Sequence, residues 1–419
     1  MIGVMADDLT GAAEVGGVAW RYGLSSEVHT APTQVFNAEV VAIDTDTRGC
    51  SGDEAARRVK WVATPLRMQG WIYKKVDSVL RGPVLAELEA VLAALRLNRA
   101  LVVPANPGLG RVIRDGHYFV AGKPINETDF RNDPHHPRVS SHVLEMLGPR
   151  GSEPVFVCRP DQALPPRGIV VGEVGSRADL VSWAAKLDET ILPVGGAEFF
   201  SAILETNGHK LRSKTVRSDG VGEGDAPAFD ALDPNPIRMK ASRSSELSVA
   251  IQPGMDSPSR SIFVCGSAAS SAMGFLSECR KRGLPVLGLP PDLMRGAGTA
   301  ERQVRGWAED VINALKRHSQ VVVAIDKPWV QEIDASQRLG KHLIDMVMRV
   351  MEREKLNTIY VEGGATAAAL VHLMGWSRLK VMRELAPGVV TMGAGGDRKV
   401  TLTIKPGSYA WPVAVWQAR

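Results

Sequence analysis

At 419 residues the chain is longer than one hydrophobic core usually supports, so two domains of ordinary size are expected. With 50 Lys and Arg against 46 Asp and Glu, its net charge of +4 is too slight for a nucleic-acid-binding surface, and a hydrophobic content of 44% fits a globular protein acting on a small molecule. No run of about 20 apolar residues could span a membrane, and Asp7, Asp8 and Glu14 stand where a signal peptide would need its apolar core, so the cytoplasm is the expected compartment.

The first half repeats one unit, in which a short apolar, β-rich run is followed by a polar loop and then by helical periodicity. The runs at 2–5 (IGVM), 40–43 (VVAI), 71–74 (WIYK) and 100–103 (ALVV) are apolar without alternation, which predicts parallel strands covered by helices. Behind them come ADDLTG, DTDTRG, KVDSVLRG and PANPGLGR. Such loops meet beyond the carboxyl ends of an open sheet, so Asp7, Asp8, Arg48, Lys75, Asp77 and Ser78 are expected in one crevice. Residues 104–130, punctuated by Gly and Pro, read as a functional loop or lid. In DPHHP at 133–137 no second ligand cluster stands at metal spacing, which leaves His135 and His136 as surface residues.

Residues 205–260 are polar, rich in Gly, Pro, Ser and Asp, and read as a linker. The strand–helix pattern resumes at 261–272, 320–328 and 357–375, so a second α/β domain begins near 258, and 388–411 alternates strands with Gly-containing turns as a β-meander does. The expected fold is α/β, with two domains, each a mostly parallel sheet with flanking helices, and a C-terminal β-meander. Cys50, Cys158, Cys265 and Cys279 are widely spaced with no CxxC pair, which predicts free thiols.

Several loops carry more polar groups than a turn requires. Asp8 or Thr10 alone could cap a helix, but two adjacent carboxylates repel unless a cation or a substrate hydroxyl separates their roles, which suits a general base or a magnesium contact. Arg48 has the planar fork that grips a carboxylate. Lys74, Lys75, Asp77, Ser78 and Arg81 fall within KKVDSVLRG and can hydrogen-bond a polyhydroxy acid while offsetting charge during phosphoryl transfer. EGGATAAA at 362–369 follows a strand and opens a helix, an arrangement that welcomes phosphate. CGSAASSA and KPGSYA are Gly-Ser turns of the same kind, and together they suggest a nucleotide. No Walker A, GxGxxG, HRD or DFG pattern occurs.

In this order, ADDLTGA, DTDTR, YKKVDSVLRG, PANPGLGRVIRDGHYFVAGKPINET, EGGATA and KPGSYA resemble the four-carbon acid sugar kinase family over nearly the whole chain. The resemblance implies an acid-sugar-binding domain at 1–235, whose 205–258 segment is the linker, and a nucleotide-binding domain at 258–419. It further implies substrate binding by Asp8, Arg48, Lys75, Val76, Asp77 and Ser78, and ATP binding by Ser267, Gly363, Gly364, Ala365, Thr366 and Gly407. Asp8 is the expected base and Mg²⁺ the expected companion of ATP, with its protein ligands unassigned. KKVDSVLRG is closer to D-threonate and D-erythronate kinases than to 3-oxo-tetronate kinases. Val79, Pro83, SAASSA and KPGSYA, in place of the usual KxGSFG, depart from the family pattern. A closing two-domain protein that binds a sugar acid without chemistry is the rival from another class, and it would need only one ligand set.

Overall fold

The computed structural model describes residues 1–32, 36–67, 70–133, 136–148, 151–212, 260–266, 270–294, 300–325, 333–394, 400–407 and 409–416. The expected linker therefore falls, from 213 to 259, outside the described residues. In the first half, β1 (Ile2–Ala6), α1 (Leu9–Arg21), β2 (Ser26–His29), β3 (Val40–Asp44), α2 (Gly52–Leu66), β4 (Trp71–Lys75), α3 (Val84–Leu95) and β5 (Arg99–Val103) follow in that order. Three short strands, β6 (Arg111–Arg114), β7 (His117–Val120) and β8 (Lys123–Pro124), form a separate antiparallel sheet. The stretch expected as a loop or lid thus has a small sheet of its own. Then come α4 (Val143–Met146), β9 (Val155–Cys158), β10 (Gly168–Gly172), α5 (Arg177–Ala184), β11 (Ile191–Gly195) and α6 (Ala197–Thr206).

The second half contributes β12 (Ser261–Cys265), α7 (Ser270–Lys281), β13 (Val286–Gly288), α8 (Pro291–Met294), α9 (Ala300–Arg317), β14 (Gln320–Ala324), α10 (Ile333–Arg353), β15 (Thr358–Glu362), α11 (Gly364–Leu373), β16 (Arg378–Ala386), β17 (Val389–Ala394) and β18 (Val400–Lys405). The fold is α/β with flanking helices and mostly parallel strands. One feature goes beyond the expected pair of sheets: all the strands but β6, β7 and β8 join a single sheet in the order β13-β14-β12-β15-β18-β17-β16-β2-β3-β1-β4-β11-β5-β10-β9. The meander is the bridge. Its β18 runs parallel to β15, β17 and β16 turn back antiparallel, and β16 pairs antiparallel with β2 of the first half through Arg378↔His29 and Lys380↔Glu27. An ion pair reinforces this joint, with Arg378 donating to both oxygens of buried Glu27 at 2.8 and 2.6 Å.

The inner strands of the parallel parts are buried along nearly their whole length, as their largely apolar sequence requires, while the edge strands β9 and β13 are only partly buried. All four cysteines are free thiols, and among the described residues no helix is long and apolar enough to cross a membrane. α1 packs against both halves. Its Gly16 and Gly17 would each cost about 1 kcal/mol in an isolated helix relative to Ala; here they let the backbone approach the bridging hairpin. A Cβ on Gly16 would stand 2.9 Å from Val381 Cγ2, and one on Gly17 2.7 Å from Val390 Cγ2 and 3.2 Å from the Glu384 carboxylate.

Gly17→Val should therefore overpack this seam at a cost of about 1–3 kcal/mol and lower the melting temperature. Gly306→Ala, in α9 where an added Cβ meets nothing within 4 Å among the described residues, should hold or raise it by removing an exposed helical glycine. Thermal unfolding followed by circular dichroism checks both signs; equal effects of the two substitutions would contradict the close packing.

Candidate active site

β1, β3 and β4 end level with one another, with Ala6 paired to Asp44 on one side and to Lys75 on the other. The loops behind them consequently leave the sheet side by side. Arg48 donates from Nε and Nη2 to Asp7 at 2.8 and 3.0 Å, and from Nη1 and Nη2 to Asp8 Oδ2 and Oδ1 at 2.7 and 2.8 Å. Its Nη2 also stands 3.9 Å from Asp77 Oδ1. The cation that two adjacent carboxylates call for is this guanidinium. Asp8 is in addition the N-cap of α1, accepting from the Gly11 N–H at 2.8 Å and from the Thr10 hydroxyl at 2.5 Å. Of the two candidate caps, Asp8 serves the helix and Thr10 steadies Asp8.

Burial pushes the Asp7 carboxyl up, but Arg48, with Lys74 and Lys75 behind it, outweighs that and holds it below the usual range. Asp77 is buried too, yet Arg81 and Arg48 hold it well below the usual range; Arg81 reaches it through Nε at 2.8 Å and Nη2 at 3.0 Å. Asp44 differs. Burial, followed by the charge of Asp8, raises its carboxyl well above the ordinary value, and its Oδ1 accepts the Asp46 N–H at 2.8 Å.

Lys75 Nζ lies 3.3 Å from Glu14 Oε2 and donates to Val76 O at 3.0 Å. Val76 itself is fully buried, with its N–H on Gly195 O at 3.1 Å, so its side chain belongs to the core. The Ser78 hydroxyl accepts from Arg111 Nη1 at 2.5 Å, and the Tyr118 hydroxyl donates to Ser78 O at 2.7 Å, so β6 and β7 buttress the KVDSVLRG loop. Within that loop, buried Leu80 sits at φ +62, a left-handed conformation that costs a non-glycine residue about 1–2 kcal/mol. Beneath it, Lys74 Nζ meets Glu87 Oε2 at 2.7 Å in a fully buried pair.

The second half repeats the device of level strand ends. Glu362 is paired to Cys265 on one side and to Lys405 on the other, which brings the turns after β12, β15 and β18 together. Gly363 caps α11 at φ +98, which a residue with a Cβ rarely adopts, and its N–H donates to Lys405 O at 3.0 Å. Thr366 is buried so tightly against Gly266 that a Cβ there would collide with its Oγ1. Buried Lys405 holds the third turn from within, with its Nζ donating to Pro406 O at 3.0 Å, Gly407 O at 3.5 Å and Tyr409 O at 2.5 Å, and standing 3.5 Å from Glu362 Oε2. Ser267 lies outside the described residues.

The two sets meet at Gly364: a Cβ on it would stand 3.0 Å from Asp8 Oδ2 and 3.2 Å from Thr10 Oγ1. The N-termini of α1 and α11 therefore face each other. Beside them opens a crevice of about 750 Å³ between Asp44, Asp46 and Trp61 of the first half and Ala365 and Ala368 of α11. Its size suits a small organic ligand, and it lies at the carboxyl ends of the strands. A smaller crevice of about 400 Å³, near Trp71 and Leu192, lies at the opposite strand ends and away from these groups.

Sequence reasoning left out Glu14, Arg111, Glu362, Lys405 and Tyr409. A signal existed for Glu14, the one charge between Leu9 and Trp20 in a helix whose other charge is its last residue, Arg21, and for Lys405, a lone cation closing the alternating run VTLTIK. Arg111 and Glu362 carried no such mark, because their partners are remote in sequence. Among the described residues no three potential metal ligands converge; Mg²⁺ commonly needs only one or two carboxylates beside substrate phosphates, and the oxygens of Asp7 and Asp8 are already engaged by Arg48.

Comparison with known proteins gives two family matches: a sugar-binding N-terminal domain over residues 2–165 and a nucleotide-binding C-terminal domain over residues 262–409. A D-threonate kinase of Salmonella typhimurium is 24% identical over 412 residues, covering 92% of this chain and 89% of the relative. A D-threonate kinase of Bordetella bronchiseptica is 34% identical over 213 residues, covering 46% of this chain and 52% of the relative. A 3-oxo-tetronate kinase of Methylobacterium radiotolerans is 25% identical, covering 97% of this chain and 96% of the relative. The solved structure of a Salmonella typhimurium LT2 protein shares the fold, with a TM-score of 0.72 at 17% identity over 98% of this chain and 96% of that one. With its sugar-binding part carrying Asp8 and Arg48 and its nucleotide-binding part carrying the Gly363–Gly364 turn, the chain belongs to the four-carbon acid sugar kinase family.

Proposed function

We propose that the protein is an ATP-dependent kinase that phosphorylates a four-carbon sugar acid, D-threonate or D-erythronate, on its terminal hydroxyl to give the 4-phosphate. The observation that carries this reading is the approach of Gly364 to Asp8, which sets a phosphate-friendly helix terminus against a carboxylate of the sugar half. A substrate hydroxyl beside Asp8 would give its proton to that carboxylate while its oxygen forms a bond to the γ-phosphorus, the bond from that phosphorus to the bridging oxygen breaks, and ADP leaves. Catalysis of this kind is positioning and charge stabilisation. The sugar acid would occupy the 1–235 part and ATP the 258–419 part, with 205–258 between them.

In this reading Asp8 is the base, and Lys75, Asp77 and Ser78 line the acid's site, with Val76 contributing its place in the loop. Arg48 commits four of its five N–H donors to Asp7 and Asp8, so its first effect is to orient Asp8, and one Nη1 hydrogen remains for a substrate carboxylate. Gly363, Gly364, Ala365, Thr366 and Gly407, with Ser267, would surround the phosphates. Mg²⁺, arriving on ATP, would be held chiefly by phosphate oxygens and water, and when bound it neutralises phosphate charge. The full-length similarity to a 3-oxo-tetronate kinase supports that acid as the second candidate.

An ATP-consumption assay over a panel of four-carbon acids, including 3-oxo-tetronates, tests the reading; turnover with none of them would end it. With the best acid, Asp8→Asn should reduce kcat by roughly 10² to 10⁴ with KM little changed; near-normal kcat would remove Asp8 as the base. Gly364→Val should lower kcat as well as ATP affinity, because its side chain would press on Asp8 as well as on the phosphate site. Steady-state kinetics with ATP and acid varied in turn would show an unchanged kcat if that contact is idle.

Asp44 supplies a signed pH test. Because its folded-state pKa is raised, the folded protein holds that proton more tightly, and stability is lost as pH climbs above the unfolded value of about 3.9. Asp44→Asn keeps an acceptor for the Asp46 N–H but never ionises. Its melting temperature relative to the parent should accordingly rise between about pH 4 and pH 7; a difference that stays flat or falls across that range would show that Asp44 is not desolvated.

A further inference from the structure

Glu14 divides its carboxylate between the two halves of the protein. Oε2 stands 3.3 Å from Lys75 Nζ at the end of β4, and Oε1 accepts the Tyr409 hydroxyl at 2.9 Å. Lys75 Nζ is itself close against the first turn of α1, 3.3 Å from where a Cβ on Gly11 would stand. Tyr409 belongs to the turn that Lys405 holds by the carbonyls of Pro406, Gly407 and Tyr409. The Tyr409 ring lies over Gly388, where a Cβ would come within 2.5 Å of it. A phenylalanine would pack there equally well, so the hydroxyl contributes the bond to Glu14 and little else. Burial and then the Glu14 charge raise the phenol's pKa, which keeps it a neutral donor.

We infer that Glu14 and Tyr409 are positioning residues that couple the nucleotide turn carrying Lys405, Gly407 and Tyr409 to Lys75, so that each ligand's binding strengthens the other's. The inference rests on the proposed reading of that turn as nucleotide-binding. A nucleotide phosphate settled on the turn fixes Tyr409, Tyr409 fixes the Glu14 carboxylate, and Glu14 fixes the ammonium of Lys75 beside the acid's site. Reciprocity requires the acid to strengthen nucleotide binding by the same factor.

Tyr409→Phe removes this link while keeping the ring. In the parent protein the non-hydrolysable analogue AMP-PNP should slow amide hydrogen exchange in residues 75–82 and tighten sugar-acid binding by about fivefold or more. In Tyr409→Phe, AMP-PNP measured alone by calorimetry should bind within about threefold of the parent. The slowing at 75–82 should be lost and the coupling factor should approach one. Slowing that persists in the variant, or that is missing in the parent although AMP-PNP is bound, overturns the inference. Failure of AMP-PNP to bind the parent at all overturns the nucleotide assignment and the inference with it. Loss of the slowing in the variant, with no four-carbon acid turned over by the parent, would uphold the coupling and reject only the substrate reading.

Discussion

A single guanidinium between two neighbouring carboxylates is the constraint on which the site depends. Asp7 and Asp8 leave β1 as consecutive charges, and without Arg48 their repulsion would protonate one of them or drive the loop outward. Arg48 is brought to them because β1 and β3 end level. Its planar fork can serve both carboxylates at once, which the point charge of a lysine cannot do. The balance of the cluster also explains why its acids diverge: Asp7 and Asp77 share the guanidinium field and stay ionised, while Asp44, equally buried but lacking an arginine partner among the described residues, is pushed toward its neutral form.

The nucleotide half uses the same physics with the signs reversed. There the buried charge is a cation, Lys405, and it is satisfied mainly by backbone carbonyls of the turn that follows it, with Glu362 at 3.5 Å sharing the load. A buried ammonium is costly unless its donors are met, so the turn cannot relax without exposing that cost. Burial lowers the Lys405 pKa and raises that of Glu362, each opposed by the other's charge. Trp411 donates its indole N–H to Glu362 Oε2 at 3.0 Å and ties this pair to the small aromatic cluster of Phe263, Phe275 and Tyr360.

α1 links the two systems. Its first turn is capped by Asp8, its middle places Glu14 between Lys75 and Tyr409, and its last turn sends Arg21 Nε to Glu384 Oε2 at 2.9 Å. Only a helix with glycines on the inward face could lie so close to the β16–β17 hairpin. The unusual composition of this helix, poor in itself for helix stability, therefore serves the joint between the halves.

How much of this was legible in the sequence follows from the range of each interaction. Apolar runs without alternation determined the parallel strands, and the residues directly behind them, Asp8, Arg48, Asp77, Gly363 and Gly364, were readable because a strand end and a helix start are local events. The same locality made Asp8 or Thr10 a candidate cap, and only the folded structure could choose between them. What tertiary structure alone decided is pairing at a distance: that Arg48 faces the two aspartates, that Ser78 receives Arg111, that Glu362 and Lys405 share one buried pair, and that the meander fuses two expected sheets into one. Such partners lie tens to hundreds of residues apart. Periodicity and turn chemistry describe a residue's neighbours along the chain, whereas these contacts arise from strand order and register, which bring together groups that no local pattern connects.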